Sequence, residues 1–197
     1  LASLTGSVFQ NPRTQFFNLD TTGEIAFGME NLGVPREEMH RRVGDVASEL
    51  GIEKLMGRGI FELSGGQMQS IAFASVRACE PSVYVLDEPS SNLDPSSMER
   101  LASFISKAKS RGRSVIVAEH RLAYLANVAD RYLLFENGSV AAEWDARHFL
   151  GLTAAQRESY GLRSSEPPRL DSLLSRLARP ASAFPAVEAR GIYAGYE

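Results

Sequence analysis

Two short runs of uninterrupted apolar residues, each closing on charged residues, constrain the fold more than any other feature: "SVYVLDEP" from Ser82 and "SVIVAEH" from Ser114. A β-branched run of strand length without alternation points to a strand buried on both faces, and such strands belong to parallel sheets covered by helices. Between the runs, Asp94 and Pro95 read as the cap and first turn of a helix that carries Met98, Leu101, Ile105 and Ala108 and closes at Gly112. Strand, helix and strand in this order give an α/β pattern, in which ligands sit beyond the carboxyl ends of the strands. Asp87 and Glu88 fall at one such end and His120 at the other.

The remaining elements fit that pattern. "LTGSVFQ" reads as a short strand running into a polar turn at Gln10, Asn11 and Pro12. Pro35, Glu37 and Glu38 suit the first turn of a helix whose Met39, Val43, Val46 and Leu50 face a core before Gly51 stops it. Ser64 and Gln67 have the form of a capping box opening a helix through Ile71, Ala72, Val76 and Cys79 to Pro81. "RYLLFE", Asn137-Gly138 and "SVAAEW" predict a β-hairpin with a two-residue turn. Residues 163–186 shift toward Ser, Pro, Arg and Ala and read as a linker, within which Leu170, Leu173, Leu174 and Leu177 have helical spacing.

Composition narrows the function classes. The 197 residues, 44% hydrophobic and 23% charged, suit one domain or one and a fraction. A net charge of −3 argues against a sequence-independent grip on nucleic acid, which needs a clustered basic surface. The single cysteine, Cys79, rules out an internal disulfide framework and fits a reducing, cytosolic compartment. No apolar run reaches the twenty or so residues of a spanning helix, so a membrane role goes through a partner. The chain opens on Leu1 without a leading tail and closes on "VEARGIYAGYE", which looks like an element beginning; a piece of something longer is expected.

"ELSGGQ", Glu62 to Gln67, places small residues and unpaired backbone donors at a helix N-terminus, a natural phosphate site. A carboxylate at Asp87 suits Mg²⁺, and Glu88 next to it can orient a water or accept its proton. Taken singly, Gln10 is a polar turn residue, His120 is more often structural, and Asp94 is a helix cap.

Their order says more. Gln10 in "LASLTGSVFQNP", "LSGGQ" at 63–67, "VYVLDE" at 83–88, "SNLD" at 91–94 and His120 in "VAEH" together resemble the ATP-binding cassette (ABC) ATPases over residues 1–162. "VFQNP", "AFGMENLGVPREEM" and "LSGGQ" are more specifically similar to the ATPase components of energy-coupling-factor importers, which move vitamins or metal ions. The resemblance implies an α/β, partial P-loop NTPase fold with a mainly parallel sheet core, a helical signature subdomain at about 13–80 and a missing N-terminal portion. It implies ATP and Mg²⁺, with Glu88 as catalytic carboxylate, His120 as γ-phosphate switch, Asp87 on the metal, and Gln10 touching metal and water.

In that family two cassettes meet head to tail, so Ser64, Gly65, Gly66 and Gln67 would cover ATP held by a neighbour, with Asp94 at the interface. The sequence departs from the family in having no G-x-x-x-x-G-K-[ST]; its lysines are Lys54, Lys107 and Lys109. The cradle is expected upstream of Leu1. Residues 187–197 resemble the first strand of a second cassette, with Tyr196 matching the adenine-stacking aromatic. The implied partners are a second cassette, in the same chain or a homologous subunit, and a transmembrane scaffold at the cytoplasmic face of the membrane. In energy-coupling-factor importers that scaffold docks in a groove of this region, which here holds Phe16, Phe17, Leu19, Phe27 and Met29, with Asp20, Glu24 and Glu30 to pair with its arginines; taken singly, the aromatics read as core packing and the acids equally as solvated surface. The alternative is a soluble tandem cassette ATPase acting on ribosomes or DNA.

Overall fold

The computed structural model describes residues 4–162. Three parallel strands lie in the order β1 (Thr5–Val8), β2 (Val83–Asp87) and β3 (Ser114–Ala118). Val8 pairs with Leu86 and Asp87 with Ala118, so the chain leaves all three strands at the same end of the sheet. Burial along β2 alternates: Tyr84 and Leu86 are buried, whereas Val85 is 37% exposed and Ile116 on β3 is 59% exposed. The expectation that both strands are buried on two faces is therefore corrected. An apolar β-branched side chain permits cover on its face but does not supply it, and among the described residues only one face of this sheet is covered.

Between β1 and β2 the chain forms three helices, α1 (Thr21–Asn31), α2 (Arg36–Leu50) and α3 (Gly65–Ala78), which pack on one another. The core they share includes Ile25, Met29, Val46, Met68 and Ile71, each fully buried side chain contributing about 1.5–3 kcal/mol. Helix α1 has no strong sequence signal, because Gly23 and Gly28 lower its propensity. Asp20 starts it by accepting from the Thr22 and Gly23 N–H groups at 3.0 and 2.9 Å. Gly28 is needed where α1 crosses α3: a Cβ there would lie 2.5 Å from the Cys79 Sγ. Helix α2 ends as expected on Gly51 in the left-handed region, φ 64°. Pro35 occupies its cap position rather than its first turn.

Asp94 caps α4 (Pro95–Ser110), accepting from the Ser97 N–H at 2.7 Å. Phe104 of α4 meets Tyr84 of β2 edge to face at 5.3 Å, which ties the helix to the covered side of the sheet. The expected hairpin is present as β4 (Arg131–Glu136) and β5 (Ser139–Asp145). Asn137 and Gly138 both have positive φ, 50° and 78°, the geometry of a type I′ turn. Two short helices follow, α5 (Ala146–Leu150) and α6 (Ala154–Ser159). Phe149 stacks on Tyr132 at 3.8 Å, and the Arg157 guanidinium lies 5.2 Å from the Phe149 ring centre. The expected linker at 163–186, its leucines, the second-cassette start at 187–197 and Tyr196 lie outside the described residues.

Candidate functional site

The register of the sheet brings Gln10, Glu88 and His120 together. Each lies two residues beyond a paired position, Val8, Leu86 and Ala118 respectively. The Gln10 Nε2 donates to Glu88 Oε2 at 2.7 Å, and His120 Nε2 is 3.1 Å from Glu88 Oε1. An ionised carboxylate only accepts, so the imidazole presents its N–H at Nε2. Glu88 itself is turned into the left-handed region, φ 41°, while its N–H donates to the Ala118 carbonyl at 2.9 Å. The His120 side chain is 72% exposed and Asp87 is exposed beside it. This end of the sheet is open to a ligand.

A carboxylate that the sequence did not single out holds the adjoining turns. Glu119 Oε1 accepts from the Ser90 hydroxyl at 2.9 Å and from the backbone N–H groups of Arg121 and His120 at 2.9 and 3.2 Å. Its Oε2 accepts from the Tyr124 hydroxyl at 3.4 Å. Burial, reinforced by the Glu119 charge, pushes the Tyr124 phenol well above its ordinary range. Nothing in the spelling "VAEH" distinguishes this acid from a solvated residue at a strand end.

The capping box predicted at Ser64 is present: Ser64 Oγ accepts from the Gln67 N–H at 3.3 Å and Gln67 Oε1 from the Ser64 N–H at 2.9 Å. Ser64 and Gly65 are exposed, whereas Met68 and Ile71 one turn further anchor α3 in the core. A Cβ on Gly66 would lie 3.0 Å from the Asn92 carbonyl oxygen, a tight contact that presses the helix start against the 91–94 segment. Gly65 has ordinary room, 3.7 Å to the Asn92 side chain. Asp94 uses its carboxylate on Ser96 and Ser97, and the Ser97 N–H holds its pKa below the usual range. The predicted residues thus fall in two groups, Gln10, Asp87, Glu88 and His120 at the sheet end and Ser64 to Gln67 with Asp94 at the helix starts, joined by the chain from Pro89 to Leu93.

Hard oxygen donors suit Mg²⁺, which keeps several waters and takes one or two carboxylates plus substrate phosphates. Asp87 fits that pattern. Gln10 commits its amide nitrogen to Glu88, which leaves its carbonyl oxygen as the donor. Among the described residues no group of three or more His, Cys, Asp or Glu gathers as a metal site.

Residues 2–91 match the ABC transporter family model. The structure of cbiO1 from Clostridium perfringens, described as part of the ABC transporter complex cbiONQ, superposes with a TM-score of 0.68. It is 26% identical over 89% of this chain and 67% of that one. This chain has the ABC ATPase fold. A dimeric ATP-binding cassette bound to ADP and Pi shares the same ABC fold at a TM-score of 0.66 and 23% identity, covering 74% of this chain and 64% of that chain. A putative ABC transporter ATP-binding protein of Treponema denticola is 51% identical over 83% of this chain. This chain spans 33% of that relative's length and 30% of a second Treponema relative.

The ABC fold leaves an apolar patch open before α1 and before the signature. Phe17, Leu19 and Phe61 are 75%, 77% and 77% exposed, and Leu19 and Ile60 share a backbone hydrogen bond. Phe17 stacks on Phe27 at 5.0 Å, while Met29 is core. Glu24, expected to face a partner's arginine, is instead buried and accepts the Phe17 and Asn18 N–H groups at 2.9 Å each. Asp20 caps α1. Only Glu30 of the three acids is exposed without a cap or loop to hold. Phe61 was missed because "GIFEL" reads as an ordinary apolar segment. No described helix is long and apolar enough to cross a membrane.

Proposed function

We propose that this chain is part of the ATP-hydrolysing motor of an ABC importer of the energy-coupling-factor type, working on vitamins or metal ions at the cytoplasmic face of the membrane. The observation that carries the reading is the carboxylate of Glu88 held between Gln10 and His120 at the carboxyl end of a parallel sheet. Glu88 orients the attacking water and accepts its proton; the Gln10 amide and the His120 N–H fix the carboxylate's direction. With ATP bound, His120, exposed at the rim, turns this N–H from Glu88 to the terminal phosphate. Bound Mg²⁺, held by Asp87 and the Gln10 carbonyl, would supply positive charge to the phosphates.

Ser64 to Gln67 offer backbone donors at the start of α3 to a triphosphate cradled by a second cassette, and Asp94 lies on that interface. The 197 residues contain no Gly-rich lysine loop, so the cradle comes from elsewhere in the same polypeptide or from a homologous subunit. A tandem arrangement agrees with the linker-like composition at 163–186 and with Tyr196 as an adenine-stacking residue. The cbiO1 likeness and the exposed Phe17, Leu19 and Phe61 support a membrane scaffold as partner over a ribosome or DNA.

ATP turnover tests the reading. The 197-residue chain alone should hydrolyse no ATP, and adding a cassette with a lysine loop should restore turnover. In the full-length protein Glu88→Gln should lower kcat by about 10²–10⁴-fold, the contribution of a positioned general base, while ATP stays bound. Full turnover by the chain alone, or by the full-length Glu88→Gln variant, would refute it.

A further inference from the structure

Glu119 sits between the sensor turn and the segment that follows Glu88. Ser90, fully buried, gives Glu119 its hydroxyl at 2.9 Å and its N–H at 3.4 Å. The clasp is closed from the other side, where the Arg121 guanidinium donates to the Ser90 carbonyl at 3.1 Å. The N–H groups of His120 and Arg121 point at the same carboxylate. Two residues beyond Ser90, the Asn92 carbonyl abuts Gly66 at the start of the signature helix.

Resting on the ATPase reading above, we propose that Glu119 is a positioning residue: with Ser90 and Arg121 it locks the His120 turn to the Pro89–Asp94 segment. A phosphate met at His120 then moves the neighbour of Gly66 as well. A hydrogen bond to a carboxylate is shorter and stronger than a neutral one, and removing the acceptor strands the buried donors of Ser90. The line from His120 through Glu119, Ser90 and Asn92 to Gly66 joins two halves of the molecule that serve different ATP molecules. His120 faces the triphosphate beside Glu88, and the signature covers the neighbour's.

The test is a double-mutant cycle in the full-length protein assembled with its partner cassette. Ser90→Ala and Glu119→Gln should each lower kcat about tenfold, the worth of one charge-assisted hydrogen bond, with KM for ATP unchanged. The double variant should be no slower than the slower single, because Ser90→Ala removes only a contact that Glu119→Gln has already weakened. Ser90→Thr, which keeps the hydroxyl, should restore most of the rate. Should Glu119→Gln not fold, the Ser90→Ala and Ser90→Thr pair decides alone. Losses that multiply, or Ser90→Thr as slow as Ser90→Ala, would overturn the clasp. An active wild type that loses turnover with Glu88→Gln but not with the Ser90 and Glu119 variants overturns the clasp and leaves the ATPase reading standing. A wild-type assembly that hydrolyses no ATP overturns both.

Discussion

Gly66, in the first turn of α3, lies so close to Asn92 that a single added carbon would sit 3.0 Å from the Asn92 carbonyl oxygen. The two glycines of the signature therefore do different things. Gly66 lets a helix start press against a loop, and Gly65, with room around it, keeps the approach to the helix N-terminus clear.

Alanine at each position separates these roles. Gly66→Ala should lower stability by about 1–3 kcal/mol, the usual cost of forcing extra bulk into a packed contact. Gly65→Ala should leave stability equal or raise it by up to about 1 kcal/mol from helix propensity, yet reduce turnover in the assembled ATPase. Chemical unfolding and ATPase rates on the two variants check this; equal stability losses would show that both glycines serve packing alone.

The crossing of α1 and α3 makes a second stability prediction. Gly28→Ala should cost about 1–3 kcal/mol, because its Cβ meets the Cys79 Sγ at 2.5 Å. Shortening the partner, as in Gly28→Ala with Cys79→Ala, should recover part of that loss. Burial also raises the Cys79 pKa, so alkylation of the folded protein at neutral pH should be slow and should quicken in denaturant.

Acid should weaken the protein through particular carboxylates. Hydrogen bonds from Arg41 and Arg42 hold Glu38 down to about 2, and capping N–H groups depress Asp94 and Asp145. A folded-state pKa below the unfolded one stabilises above the ordinary carboxylate range, and that contribution is lost as pH falls through the folded value. Urea midpoints should therefore hold from pH 7 to about 5 and decline toward pH 2. Glu38→Gln should flatten part of the decline; an unaltered profile would remove Glu38 from the account.

The exposed patch gives a prediction about assembly. Phe17→Ser combined with Phe61→Ser should leave the unfolding midpoint almost unchanged, since both rings are mostly in water. Co-purification with a transmembrane scaffold should be lost. Undiminished association would place the docking surface elsewhere.

Elements with local chemistry were readable from the residues: the Ser64–Gln67 box, the Gly51 stop, the Asp94-Pro95 start and the Asn137-Gly138 turn each specify their own backbone. Helix α1 was not, because its glycines serve a contact with α3 that no local pattern reveals. The role of Glu119 was hidden for a similar reason, since its partner Ser90 lies 29 residues away across the sheet end. Burial of β2 and β3 was overstated because alternation appears only when cover is known. Glu24 was misread as a surface acid because its partners are backbone N–H groups of the preceding loop.

The backbone at Glu88 has a consequence for how such a site can change. A φ of 41° is a region that residues with a Cβ avoid, at a cost of roughly 1–3 kcal/mol. A chain selected only for thermal endurance would put glycine there. The one carboxylate best placed for chemistry thus occupies a position where robustness and reactivity select opposite residues, and any lineage that abandons turnover has an immediate gain in durability waiting at this single codon.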